Sequence, residues 1–203
     1  DSRGADALVA RPGIEGLAGL RGRPVLVEDS AVGHYLLQQA LAEAGLRRDE
    51  VRVLQVQSSY LPARWREGIA DAAVVYEPML SELREQGLQV LFSTADHPGL
   101  VLDVLVVREP VLAARRDDVQ AAIAAWDRAV PAFAEPAALP LAVLTADGRL
   151  TPEAYLQALS GVALFDRETR RAFQSGQPSP LTRAVDGLAA TDTDPAMAGG
   201  GGE

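Results

Sequence analysis

Between Gly22 and Phe92 the chain switches repeatedly between a strand-like and a helix-like hydrophobic period, with only short connections, and this rhythm limits the folds open to it. Pro24 to Val27 is a short apolar run bounded by punctuating residues. After it, Val32, Leu36, Leu37, Ala40, Leu41 and Ala44 recur on one helical face that Gly45 stops. Val51, Val53, Leu54 and Val56 predict a second strand, and Ser58 to Glu67 predict a short helix with Pro62 in its first turn and Gly68 closing it. Ala72 to Tyr76 repeat the strand pattern, Pro78 opens a helix that Gly87 ends, and Leu88 to Phe92 form a further strand. Strands alternating with helices over short loops are the signature of an α/β fold, a parallel sheet wrapped by helices.

The flanks read differently. Asp6 to Ala10 carry a short strand pattern before Pro12-Gly13, and a small helical piece ends near Gly22. Leu100 to Val107 form an apolar stretch expected to be a buried strand or a crossing segment. Beyond it the chain turns helical: Val119, Ile123, Trp126, Ala129, Val130 and Phe133 share a face, with Pro131 expected to kink or shorten that helix. Further helices are expected at Ala138 to Ala146, Pro152 to Leu159, Arg167 to Phe173 and Leu181 to Ala189, followed by a disordered Gly- and Ala-rich tail over 191–203.

Several function classes are disfavoured. The 203 residues are 48% hydrophobic and 23% charged, with 19 basic and 28 acidic side chains giving a net charge of −9, and no basic cluster interleaved with aromatics suits a phosphate backbone. Nucleic acid is therefore not an expected partner. With no cysteine there is no disulfide frame, thiolate metal site or cysteine nucleophile. The apolar stretches are far shorter than the ~20 residues a membrane-crossing helix needs. Only two histidines occur, His34 and His97, neither in a metal-ligand spacing, and no nucleophile elbow or Walker-type loop is present, so neither metal, cofactor nor catalysis is expected.

The strongest candidate for ligand binding is Glu28 to His34, at a strand-to-helix junction. Free N–H groups and the positive end of the helix dipole there can hold an oxyanion, with the Ser30 hydroxyl as a further donor. The alternative is that Asp29 or Ser30 merely caps the helix, and that His34 is a packed or surface histidine. Tyr76 and Glu77 end another strand at the same predicted sheet edge. They could face the same crevice, or Glu77 could favour the next helix while Tyr76 packs. Asp103, alone in an apolar stretch, needs an ion-pair partner, backbone donors or a polar cavity; Asp6 poses the same choice less sharply.

The blocks Ser2 to Ala10, Gly13 to Gly22, Val25 to Glu28, Ser30 to Leu37, Ala40 to Leu46, Asp71 to Pro78 and Gly99 to Val107, with Gly161 to Asp166 later, together resemble the nitrate/sulfonate/taurine-type solute-binding proteins of ABC importers, within the thiamine-precursor-binding-like superfamily. The resemblance extends from Ser2 to about Phe173. It implies a type II periplasmic-binding-protein fold, with 1–10 as a hinge and first-lobe strand, 11–98 as a complete second α/β lobe, and 99–190 as the returning strand and helices of the first lobe. In that family the first lobe begins upstream of the block at Ser2. The returning apolar faces are therefore expected to be exposed and the isolated chain to associate.

The resemblance places Ser30, Tyr76, Glu77 and Asp103 along the ligand cleft, and Ala31, His34, Asp6 and Ser2 complete the expected ligand-binding set. Family members commonly carry Gly before the helix-start hydroxyl where this chain has Asp29, and the acidic Asp29, Glu77 and Asp103 favour an amine-bearing or zwitterionic ligand over nitrate. The implied partners are a small-molecule ligand and a membrane permease. The implied location is periplasmic or extracellular, with a lipid anchor upstream of Asp1 as a further expectation. Two other readings are a ligand-sensing domain of a signalling receptor and, with less support, a pyrimidine-precursor biosynthetic enzyme.

Overall fold

The computed structural model describes residues 1–135 and 140–192. Five strands, β1 (Asp6–Ala10), β2 (Pro24–Glu28), β3 (Arg52–Val56), β4 (Ala72–Tyr76) and β5 (Gln89–Ser93), form one sheet in the order β3-β2-β4-β1-β5. β2 runs parallel to β3 and β4, as the alternation with helices predicts. β1 is antiparallel to both β4 and β5. The sheet is therefore mixed, because β1 enters from outside the strand-helix rhythm and a strand's direction is set by its neighbours, not by its own pattern.

Strand alternation splits the apolar side chains cleanly between the two faces. Leu8, Ala10, Val25, Val27, Ala72 and Val74 meet α1 (Ala31–Glu43) through Leu36, Leu37, Ala40 and Leu41. Ala7, Val9, Leu26, Ala73 and Val75 meet α2 (Leu61–Arg66) and α3 (Met79–Glu85) through Leu61, Trp65, Leu80 and Leu83. Because both faces are covered, the central strands β1, β2 and β4 carry near-continuous apolar runs, whereas the outer β3 and β5 include the exposed Arg52, Gln55 and Gln89. Gly45 ends α1 at φ 65°, a left-handed conformation that lets the Leu46 N–H donate to the Leu41 carbonyl.

Past β5 the architecture changes. Leu100 to Val107 do not join the sheet: Leu100 and Val101 pack partly on the core, while Val104, Leu105 and Val106 are exposed. The expected buried strand is corrected on this point. β1, not this segment, occupies the place beside β5, and no described strand pairs with residues 102–107.

Helices α4 (Glu109–Ala114) and α5 (Arg116–Ala129) follow, and at Pro131 the helix tightens to a 3-10 turn over Val130–Ala134. Of the helix expected at 138–146, Leu141–Leu144 is helical (α6), and residues 138 and 139 lie outside the described residues. Helices α7 (Pro152–Ser160), α8 (Arg167–Gln174) and α9 (Pro180–Asp192) complete the chain. Thr191 and Asp192 of the expected disordered tail belong to α9, and residues 193–203 lie outside the description.

Two attachments tie the later chain to the sheet. Ser2 bridges Val162, the Arg3 and Ala5 N–H groups donate to the Gly161 carbonyl, and a Cβ on Gly161 would stand 2.8 Å from the Ala5 nitrogen. α9 also lies against α1, so closely that a Cβ on Gly187 would sit 2.7 Å from the Tyr35 hydroxyl.

Candidate functional site

The strand registers gather the candidate residues at one edge. Asp6 is opposite Tyr76, Ala7 opposite Ser93, and Glu28 opposite Val56, so the start of β1 and the ends of β2 to β5 share the rim where ligands bind in open α/β sheets.

Ser30 caps α1, its hydroxyl oxygen accepting from the Gly33 N–H at 3.1 Å. Gly33 makes the tight entry possible: a Cβ there would come within 3.0 Å of the Glu28 carbonyl and 3.2 Å of Val27. The N–H groups of Ala31 and Val32 in the first turn have no carbonyl one turn back to accept them, and both residues are exposed at the rim. Capping and anion binding are compatible here, because the cap uses one N–H and leaves its neighbours free to point outward.

His34 is buried between α1 and β3, its Nε2 2.6 Å from the Gln55 amide nitrogen. Burial, reinforced by the nearby Arg48 guanidinium and partly opposed by Asp29, lowers its pKa and favours the neutral ring. Asp29 itself is exposed, 3.4 Å from the same Gln55 amide.

Tyr76 is exposed at the rim with its hydroxyl against Ser58. Glu77 turns toward its own helix, accepting from the Ser81 N–H at 3.1 Å and the Ser81 hydroxyl at 2.9 Å, while its backbone N–H donates to Ala5. The peptide bond to Pro78 is cis. Asp103 is exposed on the segment that leaves the sheet, near enough to Asp1 and Asp6 to act on the charge of both.

Asp6 is half-buried at the start of β1. Burial raises its pKa, a hydrogen bond from the Ser2 side chain opposes that rise, and the negative charges of Asp103 and Glu28 add to it. Ser2 is buried and lies 2.7 Å from the hydroxyl of Thr94, a fully buried residue just past β5. Sequence reasoning missed Thr94, Ser58 and Gln55. The one available signal for Thr94 was its polar side chain at a strand's exit, where the register brings residues 88 to 92 positions earlier in the chain.

Among the described residues no cluster of three or more His, Asp or Glu is arranged to hold a metal ion. The Ser30 oxygen faces Gly33 and the His34 ring faces Gln55, so the two do not form a nucleophile-base pair.

Among curated proteins, the chain is 29% identical over 135 residues to the taurine-binding periplasmic protein of Escherichia coli, covering 65% of this chain and 42% of that one. It spans 30–42% of the length of the curated relatives described by these matches. Among solved structures it superimposes on the MOPS-bound alkanesulfonate-binding protein SsuA of Xanthomonas axonopodis pv. citri with a TM-score of 0.69 at 18% identity, covering 95% of this chain and 66% of that one. The desulfurization enzyme DSZB also matches, with a TM-score of 0.55 at 16% identity over 94% of this chain and 70% of that one. At such identities the likeness is one of fold, the type II periplasmic-binding-protein fold. The model of the family described as NMT1/THI5 like matches residues 6–138, well over half of the chain, and the chain belongs to that family, the one that holds the nitrate-, sulfonate- and taurine-type solute-binding proteins.

Proposed function

We propose that this chain is the ligand-gripping part of a solute-binding protein that delivers a small polar molecule to an ABC permease. The observation that carries the reading is the convergence of a helix N-terminus, a phenol and a half-buried carboxylate on one sheet rim. The free N–H groups of Ala31 and Val32 take an oxyanion, Ser30 holds the turn that presents them, Tyr76 flanks the ligand, and Asp6, Ser2 and Asp103 line the side from which the chain leaves the sheet. His34 and Glu77 act on this wall indirectly, through Gln55 and the start of α3. The chain divides with β1 counted in the sheet it completes between β4 and β5, so that β1 and 11–98 form the second lobe and 99–190 belong to the first lobe and its hinge.

The chemistry of the rim favours a zwitterion over a simple anion. Helix N–H groups select an oxyanion at one end, whereas Asp6, Asp29 and Asp103 favour an ammonium at the other. The periplasmic relatives support export of the protein, with a lipid anchor as one means of retaining it. The fold by itself also accommodates an enzyme, but Ser30 and His34 each have other partners and there is no cysteine, which supports binding without chemistry.

Calorimetric titration with taurine, ethanesulfonate, aminopyrimidines and nitrate tests the proposal. Tight binding of taurine or another amine-bearing ligand is the expected result. Tight binding of nitrate with no response to the amine-bearing compounds overturns the ligand class.

A further inference from the structure

Two buried polar atoms of α1 have no hydrogen-bond partner among the described residues: His34 Nδ1 and, one turn on along the same face, Gln38 Oε1. The other ring nitrogen, His34 Nε2, lies 2.6 Å from the Gln55 amide nitrogen, which is also 3.4 Å from Asp29 Oδ1. An amide nitrogen carries two hydrogens and accepts none. Gln55 can therefore give one hydrogen to the ring and the other to the carboxylate, on the condition that Nε2 presents a lone pair. The opposite orientation of the amide would set its oxygen against the Asp29 carboxylate, one acceptor facing another. With Nε2 accepting, a neutral His34 carries its hydrogen on Nδ1, the form that suits an unpaired Gln38 oxygen on the same helix face.

We propose that Gln55 is a positioning residue that holds Asp29 at the ligand rim while His34 is neutral and releases it when the ring gains a proton. A proton on Nε2 turns that nitrogen into a donor. The amide must then turn its oxygen to the ring, and the same turn takes its hydrogens from Asp29 and puts an acceptor in their place. The charges that act on the ring are the Arg48 cation, in the 3-10 turn after α1, against the proton, and Asp29 in its favour. Burial also favours the neutral ring, so the holding arrangement prevails at neutral pH and the release belongs to acid. The cleft thereby loosens its grip on an ammonium group in acid through a ring buried behind the rim. The ligand role of Asp29 rests on the function proposed above, whereas its coupling to His34 does not.

The test is a pH titration of the whole chain by nitrogen and carbon NMR, as wild type and Gln55→Leu, with taurine affinities of both, of Asp29→Asn and of the double variant. Gln55 and Asp29 are both exposed, so these substitutions leave the core untouched. In wild type at neutral pH, His34 Nε2 is expected to be the bare nitrogen and Nδ1 the protonated one. The Asp29 carboxyl carbon is expected to shift at the His34 midpoint in wild type and to lose that inflection in Gln55→Leu. A hydrogen on Nε2 at neutral pH overturns the proposal. So does an inflection that survives in Gln55→Leu, since it reports charge acting through space. Gln55→Leu and Asp29→Asn are each expected to weaken taurine binding about threefold, the scale of an exposed charged contact, with no further loss in the double variant. Losses that simply add overturn the role of Gln55 in positioning Asp29. The NMR coupling with taurine affinity unchanged in both single variants supports the coupling and removes Asp29 from the ligand site.

Discussion

Every buried hydrophobic residue among those described lies at or before Phe92, whereas the described side chains of 100–192 include a single buried residue, the polar Ser179. Both regions are rich in apolar side chains and both are regularly folded. They differ in partnership. In the first, helices cover both faces of the central strands, so Leu36 and Val25 are wholly removed from water. In the second, α5 turns Val119 and Ile123 to one side and leaves them half-exposed, with Trp126 at 47% exposure and Phe133 half-exposed in the 3-10 turn that follows, because no second layer covers them among the described residues. Polar contacts hold the helices together instead: Asp127 binds Arg167 and Arg170, and the Trp126 ring N–H donates to the Phe165 carbonyl. An amphipathic pattern therefore creates the demand for a core without supplying one.

The sharpest way to break this comparison is truncation on each side. Leu36→Ala, in the closed core, is expected to cost about 2–5 kcal/mol, and Ile123→Ala under ~1 kcal/mol, in denaturant melts of the same chain. Equal losses would mean that the helical region hides a core of its own.

Association gives the next largest effect. The exposed run of Val104, Leu105 and Val106 adds to the open faces of α5 and α9, and the chain on its own is expected to self-associate in light scattering. Leu105→Glu should lower the measured mass toward that of one chain; a wild-type monomer at all concentrations would contradict this.

The smallest effect is electrostatic and has opposite sign in the two regions. Burial raises the folded-state pKa of Asp6 above its ordinary value, so its charged form is disfavoured in the fold. Its contribution is most favourable below the unfolded pKa and is lost as pH rises through the folded one. Asp6→Asn should therefore raise the melting temperature at neutral pH and do little at pH below about 3. Hydrogen bonds from Arg170 and Arg167 lower the pKa of Asp127, so its contribution is present above the unfolded pKa and is lost as pH falls through the folded one. Asp127→Asn should lower the melting temperature slightly at neutral pH, with the difference vanishing in acid and shrinking in salt.

Much of the first region was legible in advance. The strands at Pro24–Glu28 and Ala72–Tyr76 stood out because short apolar runs between Gly, Pro and Asp admit few other structures. The cap at Ser30 and the tightening at Pro131 were equally local, each depending on one side chain and its own turn. The run from Leu100 to Val107 misled in part, because eight mostly apolar residues state a preference for burial and not where it can be met.

For the site, the sequence marked Ser30, Tyr76 and Asp6 as residues at strand and helix ends, but not Thr94, whose contacts lie 88 to 92 positions away. By itself the sequence determined the strand-helix rhythm, the helix caps, the acidic character of the rim and the family, since each depends on composition or on neighbours a few residues apart. Only the tertiary structure decided the antiparallel direction of β1, the burial of His34 and the convergence of Ser2, Asp6 and Thr94. Those depend on which distant backbone segments meet, and an apolar pattern carries no record of its partner.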